Sequence, residues 1–234
     1  MTTPLTMLEL RLDAKALIRF AQDQKPNVNR NRDEDLGYAT HAWLKALFQE
    51  RSPKPFRLIL GNNPKLLGYS PDSGRMLLEQ AQTFANPLAL GVTRIDDLRH
   101  AKIMPREWRP GRRLGFEVMT CPTSRKAGHE KDLYRHRMER REEGEEAPPR
   151  ESVYRAWLEK QLGDAARLET AKLEKFRFVS QYRRGMKPKK LDRPQALIKG
   201  VLTIADSDAF NRLLARGVGR HRAFGFGMLL LRPA

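Results

Sequence analysis

The order of strand-like and helix-like segments is the feature that most limits how this chain can fold. Leu5 to Asp13 alternates apolar and polar residues, which is typical of a half-buried strand. A helical pattern follows at 37–48, a pair of strand patterns at 55–70 and a second helical pattern at 73–85, and the segment 95–104 is expected to return to the sheet. This order of strand, helix, strand pair, helix and strand predicts a ferredoxin-like domain.

The same order of elements recurs in the second half of the chain. Strand patterns lie at 113–120, 168–182 and 196–204, and a last strand is expected at the C-terminal end. Helical patterns cover 151–162 and 206–216. We therefore predict an α+β protein with two tandem ferredoxin-like (RRM-like) domains.

The boundary between the two predicted domains is expected near residue 108. The N-terminal domain would cover residues 1–107 and the C-terminal domain 108–234. Within the second domain, 125–150 contains eight basic and seven acidic residues, whose charges nearly cancel. We predict that this charged insertion is solvated and partly disordered, or an exposed helix, and a poor candidate for the main binding surface.

The net charge of the chain indicates its kind of partner. The 234 residues carry a formal net charge of +17, which favours a polyanion, most often a nucleic acid. No apolar run approaches the ~20 residues of a membrane span, and the start of the chain lacks the pattern of a signal peptide. A single cysteine, Cys121, argues against a disulfide framework and is expected in the core. We expect a cytoplasmic protein that binds no membrane.

Basic residues are concentrated in the last part of the sequence. Residues 183–234 hold twelve Arg or Lys against three Asp, a net charge of +9. A segment between two strand patterns, 183–190, is predicted to be the tip of a basic hairpin that binds the phosphates of an RNA stem. An ordinary soluble turn is the alternative. The candidate RNA contacts there are Arg183, Arg184, Lys187, Lys189 and Lys190.

A glycine-rich basic loop is predicted at 217–227, between the last helix and the last strand. Glycine lets the backbone approach a ligand closely, and cationic side chains attract phosphate. Dinucleotide-binding and P-loop motifs run from strand into helix, which is the opposite order. We predict a polyanion-binding loop, with a helix C-cap and a tight turn as the alternative. Its candidate RNA contacts are Gly217, Gly219, Arg220, His221 and Arg222.

Tyr38 and His41 are the candidate catalytic residues. They are three positions apart on one predicted helix and so share a face. Histidine, with an ordinary pKa of ~6.5, transfers protons near neutral pH, although a structural or exposed histidine is the alternative. Cleavage of RNA by its own 2′-hydroxyl needs a base, an acid and charge stabilisation. We predict no metal site and no cofactor, because no motif has metal-ligand spacing.

These segments resemble those of the CasE-type CRISPR RNA-processing endoribonucleases, members of the repeat-associated RNA-binding protein superfamily. The helix Tyr38-x-x-His41-x-x-Leu44-x-x-Leu47-Phe48 is similar to the family's catalytic helix. The segment 217–231 is similar to its C-terminal glycine-rich signature, and 197–204 to the strand before it. The segment 153–168 is similar to a further helix of the family.

The resemblance implies metal-independent cleavage of precursor CRISPR RNA at the 3′ side of the repeat hairpin. The products would carry a 2′,3′-cyclic phosphate and a 5′-hydroxyl. His41 would act as the acid or base and Tyr38 as its partner, with His221 as an alternative proton-transfer group. The basic hairpin would hold the RNA stem and the glycine-rich loop the backbone phosphates. The partners implied are the repeat RNA hairpin and the other subunits of a CRISPR surveillance complex, with the product remaining bound.

Two other functions remain open at the level of sequence. The same basic surface would serve a non-catalytic RNA-binding subunit of a CRISPR ribonucleoprotein. It would also serve a general basic nucleic-acid binder, for which duplex DNA would compete as well as hairpin RNA.

Overall fold

The computed structural model describes residues 4–23, 36–126, 129–142, 144–183 and 189–234, with the backbone alone at 126, 129, 180–183 and 189–192. The helices are α1 (Ala14–Asp23), α2 (Leu36–Phe48), α3 (Gly74–Phe84), α4 (Pro87–Leu90), α5 (Leu133–Met138), α6 (Arg150–Leu162) and α7 (Ser207–Arg216). The strands are β1 (Thr6–Arg11), β2 (Phe56–Ile59), β3 (Lys65–Ser70), β4 (Lys102–Ile103), β5 (Arg113–Thr120), β6 (Thr123–Lys126), β7 (His129–Asp132), β8 (Ala166–Arg183), β9 (Lys189–Ile204) and β10 (Leu229–Pro233).

The first sheet has the strand order β2-β3-β1-β4, and its neighbouring strands are antiparallel. Strand β1 alternates apolar and polar residues, so Leu8 and Leu10 point to the same face and are fully buried. They share a core with Trp43 and Leu47 of α2 and with Leu77 of α3. The helix that carries Tyr38 and His41 is therefore fixed to the sheet by its apolar face.

The second sheet has the order β10-β5-β9-β8, which repeats the relation of the strands in the first sheet. Its core includes Phe116 of β5, Leu158 of α6, Ile198 of β9 and Phe210 of α7. The long strands β8 and β9 pair from Ala166 with Ile204 to Arg183 with Lys189. The predicted α+β class with two ferredoxin-like units is confirmed. The boundary near residue 108 stays a prediction.

The segment 95–104 differs from its prediction as a strand. Residues Ile95–His100 form a 3-10 helix, and β4 alone returns to the sheet. The reason is Asp97, which accepts hydrogen bonds from the backbone N–H of Arg11 at 3.0 Å and from its guanidinium at 2.6 Å and 3.2 Å. Because Asp97 is bound to the end of β1, the chain turns at the sheet edge rather than extending along it. Helix α1, with Leu17 and Phe20 buried, was not predicted at all.

The charged insertion at 125–150 is more ordered than its composition indicated. It begins with a hairpin of β6 and β7 and continues into α5. The buried Asp132 accepts hydrogen bonds from Tyr154 Oη at 2.6 Å and from Arg150 Nη1 at 2.7 Å. A carboxylate buried with these two donors fixes the start of the insertion against α6. The predicted disorder is wrong for this part, whereas the predicted exposure is found. Helix α5 has no buried residue, which agrees with the alternative of an exposed helix.

Cys121 is buried, as predicted for a core residue. Burial raises the pKa of its thiol to about 12, so the thiol stays protonated at neutral pH. Among the helices of the described ranges, none has the length and apolar composition needed to cross a bilayer.

Tyr69 links the two sheets through a buried hydrogen bond. Its hydroxyl, on β3, donates to the carbonyl oxygen of Leu229 on β10 at 3.0 Å. Burial raises the pKa of this hydroxyl, which keeps it a neutral donor. An ion pair between Arg57 on β2 and Glu117 on β5, at 3.6 Å, connects the sheets a second time. These contacts set the position of β10, and hence of the loop before it, relative to the first sheet.

We predict that Tyr69→Phe lowers the free energy of unfolding by about 1–3 kcal/mol, because a buried carbonyl loses its donor. Urea denaturation followed by circular dichroism measures the loss. Tyr134→Phe is the matched control, since the Tyr134 hydroxyl has no hydrogen-bond partner among the described residues. Equal stability of Tyr69→Phe and the wild-type protein would show that this bond does not hold the sheets together.

Candidate active site

Helix α2 presents Tyr38 and His41 on the face opposite its core. Trp43, Leu44 and Leu47 are buried, whereas Tyr38 and His41 are half-buried at the surface. The spacing of three positions places the phenol and the imidazole one helical turn apart. This arrangement agrees with the sequence prediction that Tyr38 and His41 share a face of the helix.

The glycine-rich loop, residues 217–227, is held at both ends by backbone hydrogen bonds. The Gly217 N–H caps α7 by donating to the Leu213 carbonyl at 2.7 Å, so the predicted alternative of a helix C-cap is present. The Val218 N–H donates to Gly227 O at 2.8 Å, and the Gly227 N–H donates to Met119 O on β5 at 2.7 Å. The loop is therefore fixed to the second sheet, and its polyanion binding stays a prediction.

Phe224 joins this loop to α2. Its ring centroid lies 6.5 Å from that of Tyr38, with the planes 11° apart, and 5.4 Å from that of His41 at 60°. The ring of His221 lies 6.4 Å away on the loop itself. The fold thus brings Tyr38, His41 and the glycine-rich loop to one place. The sequence analysis missed Phe224, although an aromatic residue in a basic loop is typical of a surface on which nucleic-acid bases stack.

Gly37 allows the loop to come this close to α2. A Cβ atom at this position would lie 2.6 Å from the carbonyl oxygen of Phe224, which is inside van der Waals contact. Glycine is thus required by the close approach of a second backbone segment.

The electrostatic surroundings of His41 favour its neutral form. Partial burial lowers the pKa of the imidazole below its ordinary value of 6.5, and the charges of Lys45 and Lys54 lower it further. Lys45 also donates to Glu50 at 2.8 Å, whereas Lys54 is exposed. At neutral pH His41 is therefore ready to accept a proton rather than to donate one.

His221 is engaged on both ring nitrogens. Its Nδ1 lies 2.8 Å from Arg193 Nη1, and its Nε2 lies 2.9 Å from Glu130 Oε2. Burial and the charge of Arg193 lower the pKa of His221. Its backbone has a positive φ of 62°, which is uncommon for a residue other than glycine. Because both nitrogens bind protein groups, neither is presented to a substrate in this structure.

The other predicted contact residues lie in several places. Arg220 Nη1 is 3.3 Å from Glu130 Oε1, and an Nη1 hydrogen of Arg222 donates to the carbonyl of Arg216. The predicted hairpin tip, with Arg184 and Lys187, lies outside the described residues. The side chains of Arg183, Lys189 and Lys190 lie outside them as well. Within the described part of the chain, no three His, Cys, Asp or Glu residues are grouped so as to hold a metal ion.

Comparison with known proteins places the chain in a family. The sequence profile described as CRISPR associated protein matches residues 7–233. The chain belongs to this family. No curated protein sequence matches it. The resemblance to CasE-type proteins is confirmed at the level of family and fold.

Three solved structures illustrate the shared fold of this CRISPR-associated protein. CRISPR endoribonuclease Cse3 bound to 19-nt RNA is 21% identical, with a TM-score of 0.67 over 98% of this chain and 100% of that one. Cas6e from Escherichia coli K-12 is 19% identical, with a TM-score of 0.55 and the same coverage. A chain of a CRISPR RNA-guided surveillance complex is 14% identical, with a TM-score of 0.54, again over 98% and 100%.

In this CRISPR-associated protein we predict that Gly37→Ala lowers the free energy of unfolding by about 1–3 kcal/mol, because the added methyl overlaps the Phe224 carbonyl. Gly91→Ala is the matched control: its Cβ would meet nothing closer than 3.6 Å, so a neutral or slightly stabilising effect is expected. Urea denaturation of both variants measures the difference. A Gly37→Ala protein as stable as Gly91→Ala would contradict the proposed contact.

Proposed function

We propose that this chain is a CRISPR RNA-processing endoribonuclease that needs no metal ion. The observation that carries the proposal is the half-buried His41 imidazole, one turn from Tyr38, against Phe224 of the basic glycine-rich loop. A proton acceptor, a phenol and a phosphate-attracting loop are the groups that cleavage of RNA by its own 2′-hydroxyl requires. The similar fold of an RNA-bound CRISPR endoribonuclease supports the assignment.

In the proposed reaction His41 acts as the general base. Its neutral imidazole takes the proton of the 2′-hydroxyl next to the scissile phosphate. The 2′-oxygen then bonds to phosphorus as the bond from phosphorus to the 5′-oxygen breaks. The departing oxygen takes a proton from the Tyr38 hydroxyl or from water, leaving a 2′,3′-cyclic phosphate and a 5′-hydroxyl. Cationic groups near the site, such as Lys54, stabilise the charge on the phosphate oxygens.

The proposed substrate is precursor CRISPR RNA, cut at the 3′ side of the repeat hairpin. The paired strands β8 and β9 extend towards the basic segment 183–190, which we assign to the RNA stem. The protein would keep its product and join a surveillance complex. A chain of such a complex shares the fold, which supports this partner.

We predict that His41→Ala lowers the single-turnover rate of repeat-RNA cleavage by about 10²–10⁴-fold, because the general base is lost. The assay contains EDTA and an excess of protein over RNA. Binding, measured with RNA that has a 2′-deoxy nucleotide at the cut site, is expected to stay within about twofold, since proton transfer plays no part in it.

His100→Ala is the matched control, because this histidine is exposed on the 3-10 helix after α4. It should cleave like the wild-type protein. Full activity in His41→Ala, or a requirement for magnesium, would refute the proposal. Binding of repeat RNA without cleavage by the wild-type protein would identify a non-catalytic subunit, and equal competition by duplex DNA a general nucleic-acid binder.

The lowered pKa of His41 predicts the pH dependence of cleavage. The base must be unprotonated, so with protein and RNA below saturation the rate should rise with pH to a plateau, with a midpoint below 6.5. Lys54→Ala should move this midpoint upward, since one of the charges that lower the pKa is removed. A rate that falls as the pH rises through this range would instead make His41 the acid.

A further inference from the structure

A chain of three side chains connects the charged insertion to the candidate site. Glu130 on β7 contacts His221 on the glycine-rich loop, and His221 contacts Arg193 on β9. The residues at its two ends come from different strands, and no sequence pattern links them. Glu130 and His221 are 91 positions apart along the chain.

The direction of each hydrogen bond follows from the chemistry of the groups. A guanidinium only donates, so His221 Nδ1 must accept from Arg193 Nη1. The proton of the neutral imidazole is then on Nε2, which donates to the Glu130 carboxylate. A carboxylate that accepts from one ring nitrogen fixes the tautomer and the orientation of a histidine. Glu130 therefore determines that Nδ1 is the acceptor for Arg193.

Arg193 and His41 both lie beside the ring of Phe224. The guanidinium carbon of Arg193 is 5.9 Å from the centroid of the Phe224 ring. His41 packs against the same ring, 5.4 Å from its centroid. One N–H of Arg193 is used by His221, and the planar guanidinium retains further donors in its fork, which can reach a phosphate oxygen.

We propose that Glu130 and His221 are positioning residues that hold the Arg193 guanidinium against one non-bridging oxygen of the scissile phosphate. This inference rests on the proposed cleavage function and adds a catalytic group to it. Arg193 neutralises the charge that develops on the phosphate as the 2′-oxygen attacks. Glu130 and His221 act through Arg193 and do not touch the RNA.

Stereospecific phosphorothioate substitution of the scissile phosphate tests the contact. Sulfur replaces one non-bridging oxygen in each of the two diastereomers. The wild-type protein should be slowed more by one diastereomer than by the other, because Arg193 donates to one oxygen in a fixed geometry. Arg193→Ala should lower the rate on all-oxygen RNA by about 10²-fold. This variant should then cleave the two phosphorothioate diastereomers at equal rates. A variant that only disturbed the fold would keep the wild-type preference.

The positioning chain is tested by combining variants. Glu130→Gln should lower the single-turnover rate by about tenfold without weakening binding of the 2′-deoxy RNA. The double variant Glu130→Gln, Arg193→Ala should be no slower than Arg193→Ala alone, since Glu130 acts only through Arg193. Arg113→Ala, which removes an exposed arginine paired with Glu169, is the matched control and should cleave normally.

The outcomes separate this inference from the proposed function. His41→Ala tests the function, and an active His41→Ala protein would refute both. If His41→Ala is inactive while Arg193→Ala stays within about threefold of the wild-type rate, only the present inference is refuted. Fully additive losses in the double variant would refute the positioning chain. Arg193→Lys, which keeps the charge but loses the fork, replaces Arg193→Ala if circular dichroism shows that the alanine variant is unfolded.

Discussion

The candidate site depends on the contact between the start of α2 and the carbonyl of Phe224. Helix α2 is anchored in the core of the first sheet, whereas the glycine-rich loop is fixed to β5 of the second. Neither element alone contains a complete set of reactive groups. The histidine and the phenol come from one sheet unit and the cationic loop from the other. Gly37 permits the two backbones to meet, and Tyr69 sets the position of β10, which follows the loop.

The positive charge of the protein has two consequences at this site. Cationic side chains attract a phosphate backbone, and the same charges disfavour protonation of the nearby imidazoles. The pKa of His41 is lowered in part by Lys45 and Lys54, and that of His221 in part by Arg193. Burial is the larger cause for both imidazoles, and these charges add to it, so the neutral forms of His41 and His221 are favoured at neutral pH. Glu130 contacts both His221 and Arg220 and so places a negative charge among these cationic groups.

Much of the fold could be predicted from local patterns in the sequence. The alternation of apolar and polar residues predicts the strand β1, and the apolar face predicts the helix α2. The apolar residues of both elements are buried in the structure. The pair Tyr38 and His41 could be found because three-residue spacing on a helix fixes a shared face. The glycine-rich loop was recognisable because four glycines and two arginines are concentrated within eleven residues there.

The remaining features depend on contacts between distant positions. Phe224, Arg193 and Glu130 become part of the site only when two sheets and an insertion are assembled. The 3-10 helix at 95–100 follows from the partly buried hydrogen bonds between Asp97 and Arg11, which a periodicity argument does not predict. In the insertion, a count of charges gave no sign that Asp132 is buried against Arg150.

A structure of the protein bound to repeat RNA with a 2′-deoxy nucleotide at the cut site would test the central claim most directly. The account predicts that the scissile phosphate lies between α2 and the glycine-rich loop. A ring nitrogen of His41 should then be within about 3–4 Å of the 2′ position. A phosphate bound away from α2, with the His41 ring turned from the RNA, would contradict it.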